Sequence, residues 1–152
     1  MLAPGDLAPD FEAPTSDGTQ LKLSSLRGAP VVVYFFPKAG TAGCTRESLG
    51  FAHLFPSLAP RGVRVVGVSV DDLDHQQRFA ENCSLPFPLV ADPGKEIARR
   101  YGVLGAFGLA RRVTFLLDKD LRVTDVVESF LPGPHVQRVR LRLLADPAPP
   151  PH

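Results

Sequence analysis

The residues best suited to chemistry lie in "PKAGTAGC", residues 37–44, where the first of only two cysteines follows a proline, two glycines and a threonine. The thiolate is the nucleophilic form of cysteine, and a free thiol with a pKa of about 8.5 is mostly protonated at neutral pH. Phe51, Leu54, Phe55 and Leu58 stand at i, i+3, i+4 and i+7, which predicts a helix over about 42–58. Seven residues before Phe51 is Cys44, so the thiol falls in the first helical turn on the core-facing side. A helix N-terminus offers unpaired N–H groups and the positive end of the macrodipole, and both favour an anion. Gly40 and Gly43 let backbone approach a small ligand closely, and the Thr41 hydroxyl can both donate and accept. The competing reading is that Cys44 only fills space, since free cysteine is among the most buried residue types.

The elements that must hold this thiol are legible around it. "APVVVYFF" is a continuous apolar run rich in β-branched and aromatic residues, which suits a central strand covered on both faces. Pro37 closes it, because proline cannot donate to a sheet ladder. Before it, "DFEAP" and "TQLKLSSL" flank a turn at "SDG" and predict an N-terminal hairpin. After it, "VRVVGVSV" is a second buried strand, and "DDLDHQQRFAEN" a helix with Asp71 as its cap. "PFPLVAD" and "GKEIARRYG" follow as a short strand and a short helix. "RRVTFLLD" and "LRVTDVVE" form a second hairpin, and "PHVQRVRLRLL" a final amphipathic helix. The alternation predicts an α/β fold, a sheet with helices on both faces. The expected organisation is one domain over 1–145 and a flexible Pro-rich tail over 146–152.

Composition narrows the function classes. The net charge of +1, from 17 basic and 16 acidic residues, gives no reason to expect a nucleic-acid partner. No apolar run approaches the roughly 18 residues of a membrane span, and "MLAPGDLAPDFEAP" has no signal-peptide pattern, so the expectation is a soluble cytoplasmic protein. No metal or other cofactor is expected: there is no Cys-x-x-Cys pair, and His53, His75, His135 and His152 show no ligand spacing. Arg99, Arg100, Arg138, Arg140 and Arg142 read as exposed helix faces, and Phe107 and Leu109 as candidates for a substrate mouth. A strand, a turn and a cysteine-bearing helix also resemble the thioredoxin arrangement. A dithiol pair would there occupy positions 41 and 44, but Thr41 stands in the first, which disfavours dithiol exchange.

The segment "YFFPKAGTAGCTRE" resembles the active-site segment of the peroxiredoxins, Pro-x-x-x-Thr-x-x-Cys, met here by Pro37, Thr41 and Cys44. "LAPDFEAPTSDGTQLKLSSLRG", "RGVRVVGVSVDD", "LPFPLVADP", "IARRYGV" and "RRVTFLLDKD" resemble, in order, the peroxiredoxin Q branch, also called bacterioferritin comigratory protein. The likeness runs over about 4–128. It implies a thioredoxin-like fold with a central mixed sheet, and a thiol peroxidase acting on hydrogen peroxide and organic (alkyl) hydroperoxides. By this resemblance Cys44 is the peroxidatic cysteine, which attacks a peroxide oxygen and becomes a sulfenic acid. Its backbone N–H, Thr41 and an arginine matching Arg112 stabilise the leaving oxygen, and Pro37 shields the thiol. Neighbours on a strand point to opposite faces, so only one of Arg111 and Arg112 faces the site, and the family spacing selects Arg112. Glu47 matches the acidic residue that orients the arginine, although a solvated helix charge fits the sequence equally well.

Two positions depart from the branch. Ala42 stands where many members have proline, and Leu49 where several carry a resolving cysteine. Cys83 is then the only internal candidate to resolve the sulfenic acid, about one helical turn beyond the position used by other members. A Cys44–Cys83 disulfide recycled by a thioredoxin-like dithiol reductant is one reading. The alternatives are a one-cysteine peroxidase served by an external thiol, with Cys83 as a packing residue, and a non-enzymatic redox sensor. The branch implies a monomer or weak homodimer.

Overall fold

A computed structural model describes residues 1–144; the Pro-rich segment expected as a tail lies outside the described residues. The order is β1 (Glu12–Pro14), β2 (Gln20–Lys22), β3 (Val31–Phe35), α1 (Ala42–Leu58), β4 (Arg64–Ser69), α2 (Leu73–Cys83), β5 (Leu89–Ala91), α3 (Glu96–Tyr101), β6 (Val113–Leu117), β7 (Val123–Glu128) and α4 (Pro132–Val139). Strands β1 and β2 form the N-terminal hairpin. The other five make a mixed sheet in the order β5-β4-β3-β6-β7, with β3, β4 and β5 parallel and β6 and β7 antiparallel.

Central strand β3 is buried at every position. Its period of two divides the core: Val31, Val33 and Phe35 pack on one face, Val32 and Tyr34 on the other. The first face is covered by the hairpin and α3, through Phe11, Leu21, Leu23, Ile97 and Tyr101. The second is covered by α1, α2 and α4, through Phe51, Leu54, Leu58, Phe79 and Val139. Each large apolar side chain fully buried in this way contributes about 1.5–3 kcal/mol. Both cysteines belong to this second face, Cys44 fully buried and Cys83 packed against the cluster.

Three local expectations are corrected. The strand read through "TQLKLSSL" stops at Lys22, and residues Leu23–Leu26 turn into a 3₁₀ segment. Its start is fixed by the Leu23 N–H bonding to the Phe11 carbonyl at 3.0 Å and the Ser24 N–H bonding to Asp10 at 2.9 Å. Asp72, not Asp71, caps α2: its carboxylate accepts the His75 N–H at 2.9 Å. Arg142 is exposed as expected but Arg138 is half-buried, and both pair with Asp125 on β7, at 2.9 and 2.6 Å. Among the described residues no helix is long and apolar enough to cross a membrane.

Candidate active site

Strand β3 delivers the chain to the loop that carries the threonine and the thiol. The Phe36 N–H still bonds to Val68 on β4 at 3.0 Å, and Pro37, with no N–H, ends the ladder. The loop is tied down by Asp71, whose carboxylate accepts the Ala39 N–H at 2.8 Å and the Ser69 hydroxyl at 2.6 Å. The residue expected to cap α2 therefore braces this loop against the end of β4. Thr41 occupies the N-cap of α1 without capping it. Its hydroxyl donates to the Lys38 carbonyl at 2.8 Å, which leaves its oxygen lone pairs to accept. The first intrahelical bond runs from the Thr45 N–H to the Thr41 carbonyl, so the N–H groups of Ala42, Gly43 and Cys44 precede it.

Arg112 converges on this turn from just before β6. Its guanidinium meets three acceptors at once. Nη2 lies 3.5 Å from Cys44 Sγ, Nη1 donates to Glu47 Oε1 at 2.8 Å, and Nε donates to the Phe130 carbonyl at 3.0 Å. The planar fork of arginine suits this division, which a lysine point charge cannot reproduce. Gly43 is part of the fit, because a Cβ there would stand 3.0 Å from Arg112 Nη2. Arg111 turns elsewhere, pairing with Glu128 at 2.7 Å and donating to the Gly102 carbonyl at 3.0 Å. Glu47 is fully buried, so it is not a solvated helix charge.

Behind Glu47 lies a layer that the sequence reading passed over. Its second oxygen, Oε2, is 3.7 Å from Nδ1 of His135 on α4, and His135 is also fully buried. Thr114 on β6 places its hydroxyl 2.8 Å from the same Nδ1, and His135 Nε2 lies 2.9 Å from the Ser129 carbonyl. Burial raises the Glu47 carboxyl to about 7 even though Arg112 opposes the rise. Burial likewise holds the His135 imidazole below its ordinary range, with the Arg112 charge adding to that and the bond to Ser129 opposing it.

Beside Arg112 opens a cavity of about 600 Å³, walled by Pro37, Phe107, Leu109, Ser129 and Phe130 among others. Phe107 and Phe130 are 95% and 96% exposed, so these aromatic rings stand at the mouth with almost no packing of their own. Cys44 is not a wall of this cavity; Arg112 is the group that the cavity and the thiol share. Cys83 is the last residue of α2, half-buried, and burial pushes its thiol up. Both cysteines are free. Leu49 is largely exposed. No group of three or more His, Cys, Asp or Glu among the described residues is placed to hold a metal ion.

A thiol at the first turn of a helix, under an arginine oriented by a buried carboxylate, on a thioredoxin-like sheet, is a peroxiredoxin arrangement. The chain matches the AhpC/TSA family over residues 4–126 and belongs to it, as a thiol-dependent peroxidase. Its relatives narrow this to the Bcp/PrxQ branch. Peroxiredoxin Bcp of Escherichia coli K12 is 36% identical, across 88% of this chain and 90% of its own. The crystal structure of peroxidoxin BcpB from Mycobacterium tuberculosis superposes with a TM-score of 0.87 at 36% identity, covering 94% of this chain and 97% of that one. Bacterioferritin comigratory protein of Xanthomonas campestris, solved in connection with its alkyl peroxide reduction activity, gives 0.82 at 30% identity, covering 88% and 89%.

Proposed function

We propose that Cys44 is the peroxidatic cysteine and that Arg112, Thr41 and the Cys44 N–H form the cradle for the peroxide. The thiolate sulfur attacks one peroxide oxygen and the O–O bond breaks. Cys44 is oxidised by two electrons to the sulfenic acid, while the other oxygen leaves as alkoxide or hydroxide and takes up a proton. The observation that carries this reading is the three-way fork of Arg112. One nitrogen faces Sγ while the other two are held by Glu47 and the Phe130 carbonyl, so the donor is fixed before charge develops. Thr41, with its hydrogen given to Lys38, has lone pairs left to accept a peroxide O–H. Pro37 lines the entrance beside Arg112.

The substrate class includes alkyl hydroperoxides. The apolar walls of the cavity next to Arg112 support this, as does the activity associated with the Xanthomonas relative. Cys83 attacks the sulfenic sulfur and water leaves, and the Cys44–Cys83 disulfide is reduced by two electrons from a thioredoxin-like dithiol in a reducing cytoplasm. Support for this pairing is that both thiols pack on the same core around Tyr34 and Phe36 and that Cys83 ends its helix, where unwinding costs least. The packing of Cys83 against the core supports the second reading, a one-cysteine enzyme served by an external thiol with Cys83 as a packing residue. The chain works as a monomer or weak dimer, which sedimentation tests directly.

The deciding experiment is intact mass after one equivalent of hydrogen peroxide on the wild type and Cys83→Ser. Loss of two hydrogens in the wild type and a sulfenic or over-oxidised Cys44 in the variant is the expected result. Sulfenic acid in both would move resolution to an external thiol. No oxidation of either would overturn Cys44 as the peroxidatic residue.

A further inference from the structure

His135 has no part in the chemistry above, yet it is buried against the carboxylate that orients Arg112. The contact is built into the packing of α1 on α4: a Cβ at Gly50 would stand 2.7 Å from Val136 Cγ2, so only glycine allows this approach. A carbonyl can only accept, so the hydrogen between His135 Nε2 and the Ser129 oxygen belongs to Nε2. Nδ1 is then the variable nitrogen, facing the Thr114 hydroxyl at 2.8 Å and Glu47 Oε2 at 3.7 Å. Oε2 is fully buried and has no hydrogen-bond partner. Orphaned polar atoms of this kind are rare in native interiors. The Thr114 hydroxyl can donate to Nδ1, but a bare carboxylate oxygen beside that nitrogen has no donor at all, which is the least favourable way to fill the space.

The charges point the same way. With Cys44 as thiolate and Glu47 ionised, one guanidinium would serve two buried anions. A single proton on either Glu47 or His135 neutralises the cluster and makes the 3.7 Å approach attractive. We propose that His135 is a positioning residue of the peroxidatic site: it holds one proton jointly with Glu47, which relieves the claim of the carboxylate on Arg112 and leaves the guanidinium aimed at Cys44. This rests on the assignment of Cys44 given above. The groups facing the pair are Cys44 and Ser48 from α1, Arg112 and Thr114 from the β6 segment, Tyr34 from β3 and the Ser129 carbonyl. Tyr34 is fully buried and its phenol is pushed well above its usual range, so it stays neutral. Arg138, on the same helix as His135, is occupied by Asp125. The shifts of both members agree with a proton resting toward the carboxyl side at neutral pH.

The test uses protein labelled with ¹⁵N-histidine, with the His135 ring assigned by its disappearance in His135→Gln. Nδ1 is followed from about pH 5 to pH 9 in the wild type, Glu47→Gln and Cys44→Ser, with no peroxide present. The expected result is one midpoint near neutrality in the wild type, its loss in Glu47→Gln, and a lower midpoint in Cys44→Ser, where the thiolate charge is gone. An Nδ1 signal that is flat in the wild type, or that titrates unchanged in Glu47→Gln, overturns the shared proton. The second readout is the rate of Cys44 oxidation in His135→Gln, which keeps an amide donor, and in Thr114→Val. A fall of about tenfold with a flattened profile between about pH 6 and pH 8 is expected, as for a weakened oxyanion-type donor. Rates within twofold of wild type in both variants reduce His135 to a core residue. Failure of the peroxidase assignment would instead show as an unreactive Cys44 in the wild type.

Discussion

Replacing Glu47 by glutamine tests the energetics of the site without touching the thiol. The carboxyl is fully buried, and its pKa rises from the ordinary 4.5 to about 7 because burial outweighs the attraction of Arg112. A folded protein that holds a proton more tightly than its unfolded chain loses stability as the pH rises between the two values. The stabilising contribution is therefore complete below about pH 4.5 and gone once the pH has passed through about 7. At about 1.4 kcal/mol per pH unit, the cost of ionising Glu47 in place reaches about 3 kcal/mol as an upper bound. Glutamine keeps the shape and the acceptor facing Arg112 but carries no proton to lose. The stability of the wild type minus that of Glu47→Gln should accordingly fall by up to about 3 kcal/mol between about pH 5 and pH 8. Urea unfolding at several pH values measures it, and contributions from groups that the substitution does not touch cancel in the difference. A difference constant to within about 0.5 kcal/mol across that range would mean that the Glu47 carboxyl keeps an ordinary affinity for its proton. The argument from burial would then be wrong.

Arg112→Lys keeps the charge but cannot serve Cys44, Glu47 and the Phe130 carbonyl together, so stopped-flow oxidation of Cys44 by peroxide should slow by about 10²-fold. Gly43→Ala separates stability from chemistry: alanine favours the helix by up to about 1 kcal/mol, while its Cβ displaces the Arg112 Nη2 that stands 3.0 Å away. The melting temperature should hold or rise while the same oxidation slows about tenfold. Ala42→Pro puts proline at the first helical position behind a Thr41 already extended at φ −76° and ψ 155°, and should stabilise by about 0.4–1 kcal/mol in urea unfolding. Ser84 holds the end of α2 in the left-handed region at φ 49°, so Ser84→Gly should tighten that end by about 1 kcal/mol. Disulfide formation, followed by mass under rapid quench, should then slow about fivefold without a change in the rate of sulfenic acid formation.

What could be read from the sequence was what local pattern determines. The unbroken apolar run gave β3 its central place, the period of Phe51, Leu54 and Leu58 gave α1 its buried face, and strand alternation set Arg111 and Arg112 on opposite sides. Asp71 and Asp72 show where local pattern runs out. Either aspartate can cap a helix, and the choice fell to Asp72 because Asp71 is engaged by Ala39 and Ser69, one of them 32 residues away in sequence. His135 was invisible for a similar reason. Nothing in "PGPHVQ" marks a partner, and the contact with Glu47 depends on two helices meeting at a glycine far along the chain. The sign that Glu47 is no surface charge lies in its spacing of three from Cys44, on the buried stripe.

The same contacts relate the oxidation state of Cys44 to the firmness of the turn that carries it. In the thiolate state Arg112 joins the first turn of α1 to the β6 segment through Sγ and, one turn on, through Glu47. A sulfenic acid carries no charge, so on the proposed chemistry oxidation removes the attraction at Sγ while the pair at Glu47 remains. What then holds Cys44 in place is ordinary packing and the first intrahelical bond, from the Thr45 N–H to the Thr41 carbonyl at 2.9 Å. At the other thiol, the end of α2 is held by the Ser84 and Leu85 N–H groups on the carbonyls of Glu81 and Ala80, at 3.1 and 3.0 Å. A disulfide needs the two Cα atoms within about 7 Å, so one or both of these ends must open, and the loss of charge weakens the end that was held by charge. Opening before oxidation would take a thiolate away from the Arg112 guanidinium, which is the costlier order. The arrangement thus favours attack on peroxide first and local unfolding second, and the packing that holds Cys44 in its turn is given up only after its chemistry is done.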